Sequence, residues 1–400
     1  MLVGRAFGWS LFAIIRTIVV EGKQTSRIMK TSIGTVTVAA LLAMNFTASV
    51  LAQPTTNTDP RSHALAEATV SLPGLMGVAA FNPAGIGGDE GVLRMSTNVG
   101  NRFVFATQWG LLPDLRVAGP SADYSFGRAA VALQARLFHL GTFERRDEQN
   151  VPVGDEAAYY LANDVGASYE LSPGLRLGVA FTILTNKTFF ASHGVALSLG
   201  AQKGWRFETG SLFLEPSAGL SLTDFGPAVG YGVQAVGAKE ALETRVRGGG
   251  ALAVRTKQED FGGSVFVVRL AVGLTKDAKA LADDRRYDTH PFRALFATWK
   301  PRSVWLNVND PTDVKRVGAW GQLTKSVGME AAVFEVVYLR FGKVVWPQYS
   351  SQDGYQTFGL GFDLRYIVID YFRIADESAF LPGKSMWKVT GRIPLRRKVK

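Results

Sequence analysis

The sequence predicts an all-β protein that closes as an antiparallel transmembrane β-barrel of about 14 strands. Three observations lead there. Residue polarity takes on a period of two from Leu93 onward, nearly every such stretch has one apolar face, and no helix-rich half exists to cover an apolar sheet. Residues 175–183 show the pattern best: Leu175, Leu177, Val179, Phe181 and Ile183 alternate with Arg176, Gly178, Ala180 and Thr182. The preceding segment sets Val165, Ala167, Tyr169 and Leu171 against Gly166, Ser168 and Glu170, and Ser172-Pro173-Gly174 joins the two as the turn of an antiparallel hairpin.

Similar alternation marks residues 103–109, 131–137, 195–201, 219–223, 248–256, 264–274, 303–308, 333–341, 358–366, 367–373 and 387–395. A soluble β-sandwich also alternates, but a closed barrel in lipid pairs every backbone group and leaves no edge. Trp109, Tyr169, Phe190, Trp205, Tyr338, Trp346, Tyr366 and Trp387 stand near predicted strand ends, where an aromatic girdle belongs. Glycines recur inside the strands, supplying bends and room on a crowded inner side. Polar excursions at 144–156, 275–290 and 347–356 are expected as the outer loops, the middle one with a helix over 277–286.

The N-terminus reads differently. Met29-Lys30, the apolar run from Val36 to Met44 and Val50-Leu51-Ala52 have the grammar of a secretory signal cleaved before Gln53, with Met29 as the expected true start. The expected organisation is a leader over 1–52, a small N-terminal leader and glycine-dense segment over 53–92, and the barrel over 93–400. A short alanine-rich helix is expected over 63–70, followed by a stretch dense in glycine from 74 to 88. The formal charge of +10 falls to about +6 without the leader. Behind an export signal, the basic tail fits solvent or anionic lipid headgroups rather than nucleic acid.

Little else in the sequence carries chemistry. The chain has no cysteine, which excludes a disulfide framework, thiolate metal ligation and an N-terminal lipid anchor. His63, His139, His193 and His290 suggest no metal site, and no cofactor is expected. Ser192-His193 lacks a nucleophile elbow, and the glycines at 230–235 and 248–250 lack the strand-to-helix context or the lysine of a phosphate site, so the chain is not expected to be an enzyme. Gln134, Arg136, Arg176, Arg340, Asp363 and Arg365 fall on the less apolar register of their strands and are expected in the lumen. There they either select solutes or pair with one another to fill the barrel.

Asn82-Pro83-Ala84-Gly85, followed by Gly87-Gly88, resembles the N-terminal plug motif of the FadL-type outer-membrane proteins, and more closely that of the PorV/PorQ branch. Ser221 to Pro227, Tyr338 to Gly342, and Phe358 to Phe362 with Ile369-Asp370-Tyr371 resemble further segments of that branch, although Asp224 stands where asparagine is usual. The resemblance implies a Gram-negative outer-membrane barrel of fourteen strands, set among outer-membrane lipids, with its N-terminal segment folded into the lumen. It implies passage of hydrophobic small molecules through the wall or, on the PorV side, binding of exported proteins during type IX secretion.

Overall fold

A computed structural model describes residues 58–99, 116–146, 151–187, 191–230, 239–260, 263–278, 290–307, 310–348, 354–375 and 385–395. The expected leader, the stretch 103–109, Trp109, Phe190 and most of 230–235 lie outside them. Fourteen strands close into one antiparallel barrel. They are β1 Val92–Val99, β2 Ser121–Phe126, β3 Ala129–Arg146, β4 Pro152–Ser172, β5 Leu175–Lys187, β6 Ala191–Gly204, β7 Leu212–Phe225, β8 Arg245–Thr256, β9 Phe266–Asp277, β10 Thr324–Val333, β11 Val337–Val345, β12 Gly354–Asp363, β13 Ile367–Ile374 and β14 Ser385–Pro394. Each pairs with its sequence neighbours, and β14 meets β1 from Val92↔Pro394 to Val99↔Trp387, which closes the ring. One end carries short turns, such as Gly127-Arg128 and Pro173-Gly174. The other carries the long connections, including 226–244 and 278–323.

The alternation read from the sequence sorts the two faces. On β5, Leu177, Val179, Phe181 and Ile183 are exposed on the outside, while Ala180, Thr182 and Leu184 are buried within. An exposed apolar stripe on strand after strand is stable only against lipid. No helix among the described residues is long and apolar enough to cross a membrane.

Several expected elements moved. Of the stretch expected at 303–308, residues 303–307 are not barrel wall: Arg302–Asn307 pairs with Asp310–Val317 as a separate hairpin within the long connection after β9. The stretch 333–341 contains a turn, with Phe334 and Glu335 both at φ 53°, and the strand before it, β10, went unread because Lys325 and Glu330 dilute its pattern. Residues 144–156 are mostly strand, since β3 runs to Arg146 and β4 starts at Pro152. The helix expected over 277–286 falls almost wholly on 279–289, outside the described residues; just past that excursion stands a helix α2, Pro291–Ala297. Tyr338 faces the lumen rather than the lipid girdle.

The N-terminal helix is also earlier and shorter than expected. Helix α1, Pro60–Ala64, starts where Asp59 accepts the Ser62 N–H at 3.2 Å with proline in the first turn. It ends because Ala66 and Glu67 adopt left-handed φ angles of 53° and 61°.

Candidate functional site: the plug and its cradle

Residues 58–91 lie inside the barrel and pass around its inner wall. Leu65 touches β10 at Gly328, Ala66 touches β11 at Gly342, and Ala68 touches β9 at Gly273. The chain continues past β8 and β7 at Val70, then returns at Asn82 against Gly200 of β6, Pro83 against Gly178 of β5 and Ile86 against Gly166 of β4. These inward glycines form a belt, and many are cross-strand partners: Gly178↔Gly200, Gly219↔Gly249↔Gly273 and Gly328↔Gly342. A side chain at any of them would meet the plug: its backbone at Gly178, Gly219, Gly273, Gly328 and Gly342, its side chains at Gly166, Gly200 and Gly249. Leu65, Leu72, Leu75, Ala79 and Ile86 meanwhile pack with one another and with Ala130 and Ala180 as the plug's own core.

An irregular segment held away from water must find partners for its carbonyls, and the wall supplies them. Thr357 Oγ1 donates to Ala64 O at 2.9 Å, Gln202 Nε2 to Val70 O at 2.9 Å, Ser221 Oγ to Phe81 O at 2.8 Å and Ser168 Oγ to Ile86 O at 2.8 Å. Asn82 acts within the plug: its Oδ1 accepts the Ala84 N–H at 3.1 Å and its Nδ2 donates to Val70 O at 2.6 Å. Asn82→Ala removes a cap and one of the two hydrogen bonds to the buried Val70 carbonyl, which keeps its bond from Gln202, so it is expected to weaken plug docking by about 1–3 kcal/mol. Faster hydrogen exchange at 76–86 with unchanged exchange in β4 to β6 is the expected result. Unchanged exchange at 76–86 would contradict this role for Asn82.

Charge fixes the segment at two further places. Arg61 of α1 grips Glu330 of β10 in a fork, both bonds 2.9 Å. Glu330 also accepts from Arg340 Nε at 2.7 Å and from Arg269, and Arg340 reaches Asp370 at 2.7 Å. Burial alone would lower the Arg61 pKa; the Glu330 carboxylate reverses this and holds it above its ordinary value. Lys388 of β14 donates to Asp59 at 3.0 Å and to Met76 O at 3.2 Å.

The residues singled out from the sequence fall into several settings. Pro83, Ala84 and Gly85 form a short 3-10 turn buried against β5 and β6. Gly87, at φ +106°, leaves no room for a side chain, since a Cβ would stand 2.7 Å from Ala130 Cβ. Gly88 N donates to Ser125 Oγ at 2.9 Å. Gln134 donates to Thr58 Oγ1 at 3.2 Å and Arg176 to Ile86 O at 3.3 Å. Arg136, fully buried, makes a forked pair with Asp164 at 2.8 and 2.9 Å and lies 3.6 Å from Asp224, all within the wall. Asp363 pairs with Arg392 at 2.7 Å, and Arg365 sits on the β12–β13 turn at φ +69° rather than on a strand, where it is exposed and borders the turn-side end of the lumen. Glu330, Arg61, Arg269, Asp59 and Lys388 were not read as site residues. Asp59-Pro60 as a helix start was the signal available. His63 stands four residues before Glu67, a spacing the sequence reading passed over, and its Nδ1 lies 3.5 Å from that carboxylate.

The plug divides the lumen. On the turn side lies a cavity of about 1000 Å³, walled by Arg61, Arg255, Arg269, Glu335, Asp363 and Arg392 among others. On the loop side the lining turns apolar: Phe138, Phe372, Ile374 and Met386 cluster on Ala64, with Tyr160 and Tyr355 packed against them. Here the wall itself is interrupted. A short strand, Arg116–Ala118, continues β2 in register along β3 past Gly119-Pro120, where Ala135 N still donates to Pro120 O at 2.9 Å, but on the other side the β1–β2 ladder breaks off at Ser96↔Ser121. Thr58 sits at this break, its carbonyl accepting from Asn98 at 2.9 Å and its side chain against Gly119.

Neither a family model nor a curated protein matches the sequence. Among solved structures, the chain is similar to a Pseudomonas aeruginosa FadL homologue, with 10% identity, 87% of this chain and 100% of that chain covered, and a TM-score of 0.38. It is similar to the Ralstonia pickettii toluene transporter TbuX at 12% identity, with 84% and 98% covered and a TM-score of 0.37. It is also similar to LpxR from Salmonella typhimurium at 10% identity, with 76% and 99% covered and a TM-score of 0.30.

Proposed function

We propose that the chain is a FadL-type barrel of the Gram-negative outer membrane that passes hydrophobic small molecules, entering at the loop end and leaving through the wall. One observation carries the reading. The apolar loop-side lining meets the place where the β1–β2 ladder stops: Phe138 pairs with Val117 just beyond Gly119-Pro120, and Asn98, which holds the Thr58 carbonyl, also donates to Met386 Sδ at 3.2 Å. An apolar solute resting there has lipid on the other side of a wall whose β1–β2 ladder has already stopped, so Thr58 moves aside at the cost of its two bonds, from Asn98 and Gln134. The short turns then face the periplasm and the long connections face outward. The plug seals the direct route, and the charged turn-side cavity disfavours apolar cargo continuing that way.

The test is binding of a fluorescent naphthalene-type probe to the detergent-solubilised protein. Phe138→Ser with Phe372→Ser is expected to weaken it about tenfold or more, since burying each aromatic contributes about 1.5–3 kcal/mol. Equal affinity in parent and variant would overturn the proposal.

The polar, charged turn-side mouth favours a second reading, a PorV-like barrel that binds exported proteins. Affinity purification from detergent-extracted membranes distinguishes the two: co-eluting lipids or apolar molecules support the first, specific co-eluting exported proteins the second. Recovery only in the soluble fraction would sink both.

A further inference from the structure

We infer that helix α2 and its flanking tryptophans seat in the lipid headgroup layer at the loop end, making the long connection after β9 an interfacial anchor. Phe292, Phe296 and Trp299 stand at i, i+4 and i+7, so they share one helix face. That face is open, with Phe292 59%, Phe296 73% and Trp299 42% exposed, while Ala294 on the other side is buried.

The helix is placed against the lipid side of the wall. Phe225, at the loop end of β7, pairs with Leu197 of β6, and paired residues of an antiparallel ladder point to the same face. Leu197 belongs to the outward apolar register with Val195 and Leu199, so Phe225 faces outward too. The Phe292 ring packs edge-on against Phe225 at 4.9 Å. Thr298 Oγ1 donates to Asp277 O at 2.9 Å, tying the other end of α2 to the tip of β9. Across the connection, Trp320 is 62% exposed and has Lys325 of β10 4.9 Å from its ring. Lys325 shares the outward register of Val327 and Met329.

The aromatic row is thus continuous with the apolar belt and lies at its upper rim. Facing water, four large aromatic side chains together would be an exposed apolar patch. At a membrane interface, aromatic bodies sit at headgroup depth, and the exposed Arg293 and Lys300 meet anionic headgroups. Seven residues are too few for an isolated helix, so these contacts also account for α2 being helical.

The absence of cysteine makes the test clean. The full chain carrying Phe296→Cys is spin-labelled and reconstituted in phosphatidylcholine vesicles, with and without phosphatidylglycerol, and accessibility to oxygen and to a water-soluble nickel chelate is compared. Phe181→Cys in mid-wall serves as the lipid reference and Glu208→Cys at the turn end as the aqueous one. The label at 296 is expected between the two references, closer to lipid, and deeper when phosphatidylglycerol is present. Arg293→Glu with Lys300→Glu should abolish the deepening without moving the label in phosphatidylcholine alone. A nickel accessibility equal to that at 208 would overturn the inference, as would spin–spin broadening at high lipid dilution, which would assign the face to a second copy of the chain.

Discussion

Glu330→Gln is expected to release the plug's first anchor while leaving the barrel inserted. The parent carboxylate is buried and serves three guanidinium groups, Arg61, Arg269 and Arg340. Without it, among the described residues, only Asp370, already bonded to Arg340, remains as a bonded counter-charge in the cluster. Breaking a buried ion pair from one side costs about 3–5 kcal/mol, because the partners keep their charge without their counter-ion. In lipid vesicles, the midpoint of urea unfolding should fall accordingly, and hydrogen exchange at 58–68 should accelerate. Adding Arg61→Met should recover part of the loss by removing a stranded charge. If the single variant unfolds like the parent and its plug exchanges no faster, Glu330 does not hold the plug.

The second large effect is steric. Gly178→Leu is expected to expel the Pro83 turn, since even a Cβ at 178 overlaps the backbone of Pro83 and Ala84. Gly200→Leu collides with the Asn82 side chain in the same way. Overpacking of this kind costs about 1–3 kcal/mol where neighbours can move and more where they are backbone. The outcome to measure is protease cleavage within 76–88 in reconstituted vesicles, together with a rise in planar-bilayer conductance. Gly204→Ala is the matched control, because its Cβ would meet nothing within 4 Å. Intact plugs in both leucine variants would mean that the belt is not what seats the segment.

The barrel was legible because lipid on one side and a packed lumen on the other force the same period of two on every strand, as Leu177 to Ile183 show. Register and strand ends were harder. Phe334 and Glu335 carry no glycine to betray a turn, and Lys325 and Glu330 made β10 look polar although Glu330 points into a cluster of arginines. The plug cradle was least legible. Arg61 and Glu330 lie 269 positions apart, and Lys388 and Asp59 lie 329 apart, so their pairing depends on closure of the ring and has no local signature. Arg340 and Gln134 were legible as inward residues from strand period alone, whereas Arg365 was misread as strand because its turn follows alternating residues without interruption.

The glycine belt bears on how the correct ring is recognised during assembly. Sliding one strand by two residues keeps every apolar side chain facing lipid, so alternation alone does not distinguish the native shear from its neighbours. Such a slip would carry Gly178, Gly273 or Gly328 about 7 Å out of line and put a side chain where the plug must lie. The plug therefore discriminates among rings that the membrane accepts equally, and only the register that aligns the glycines lets it dock.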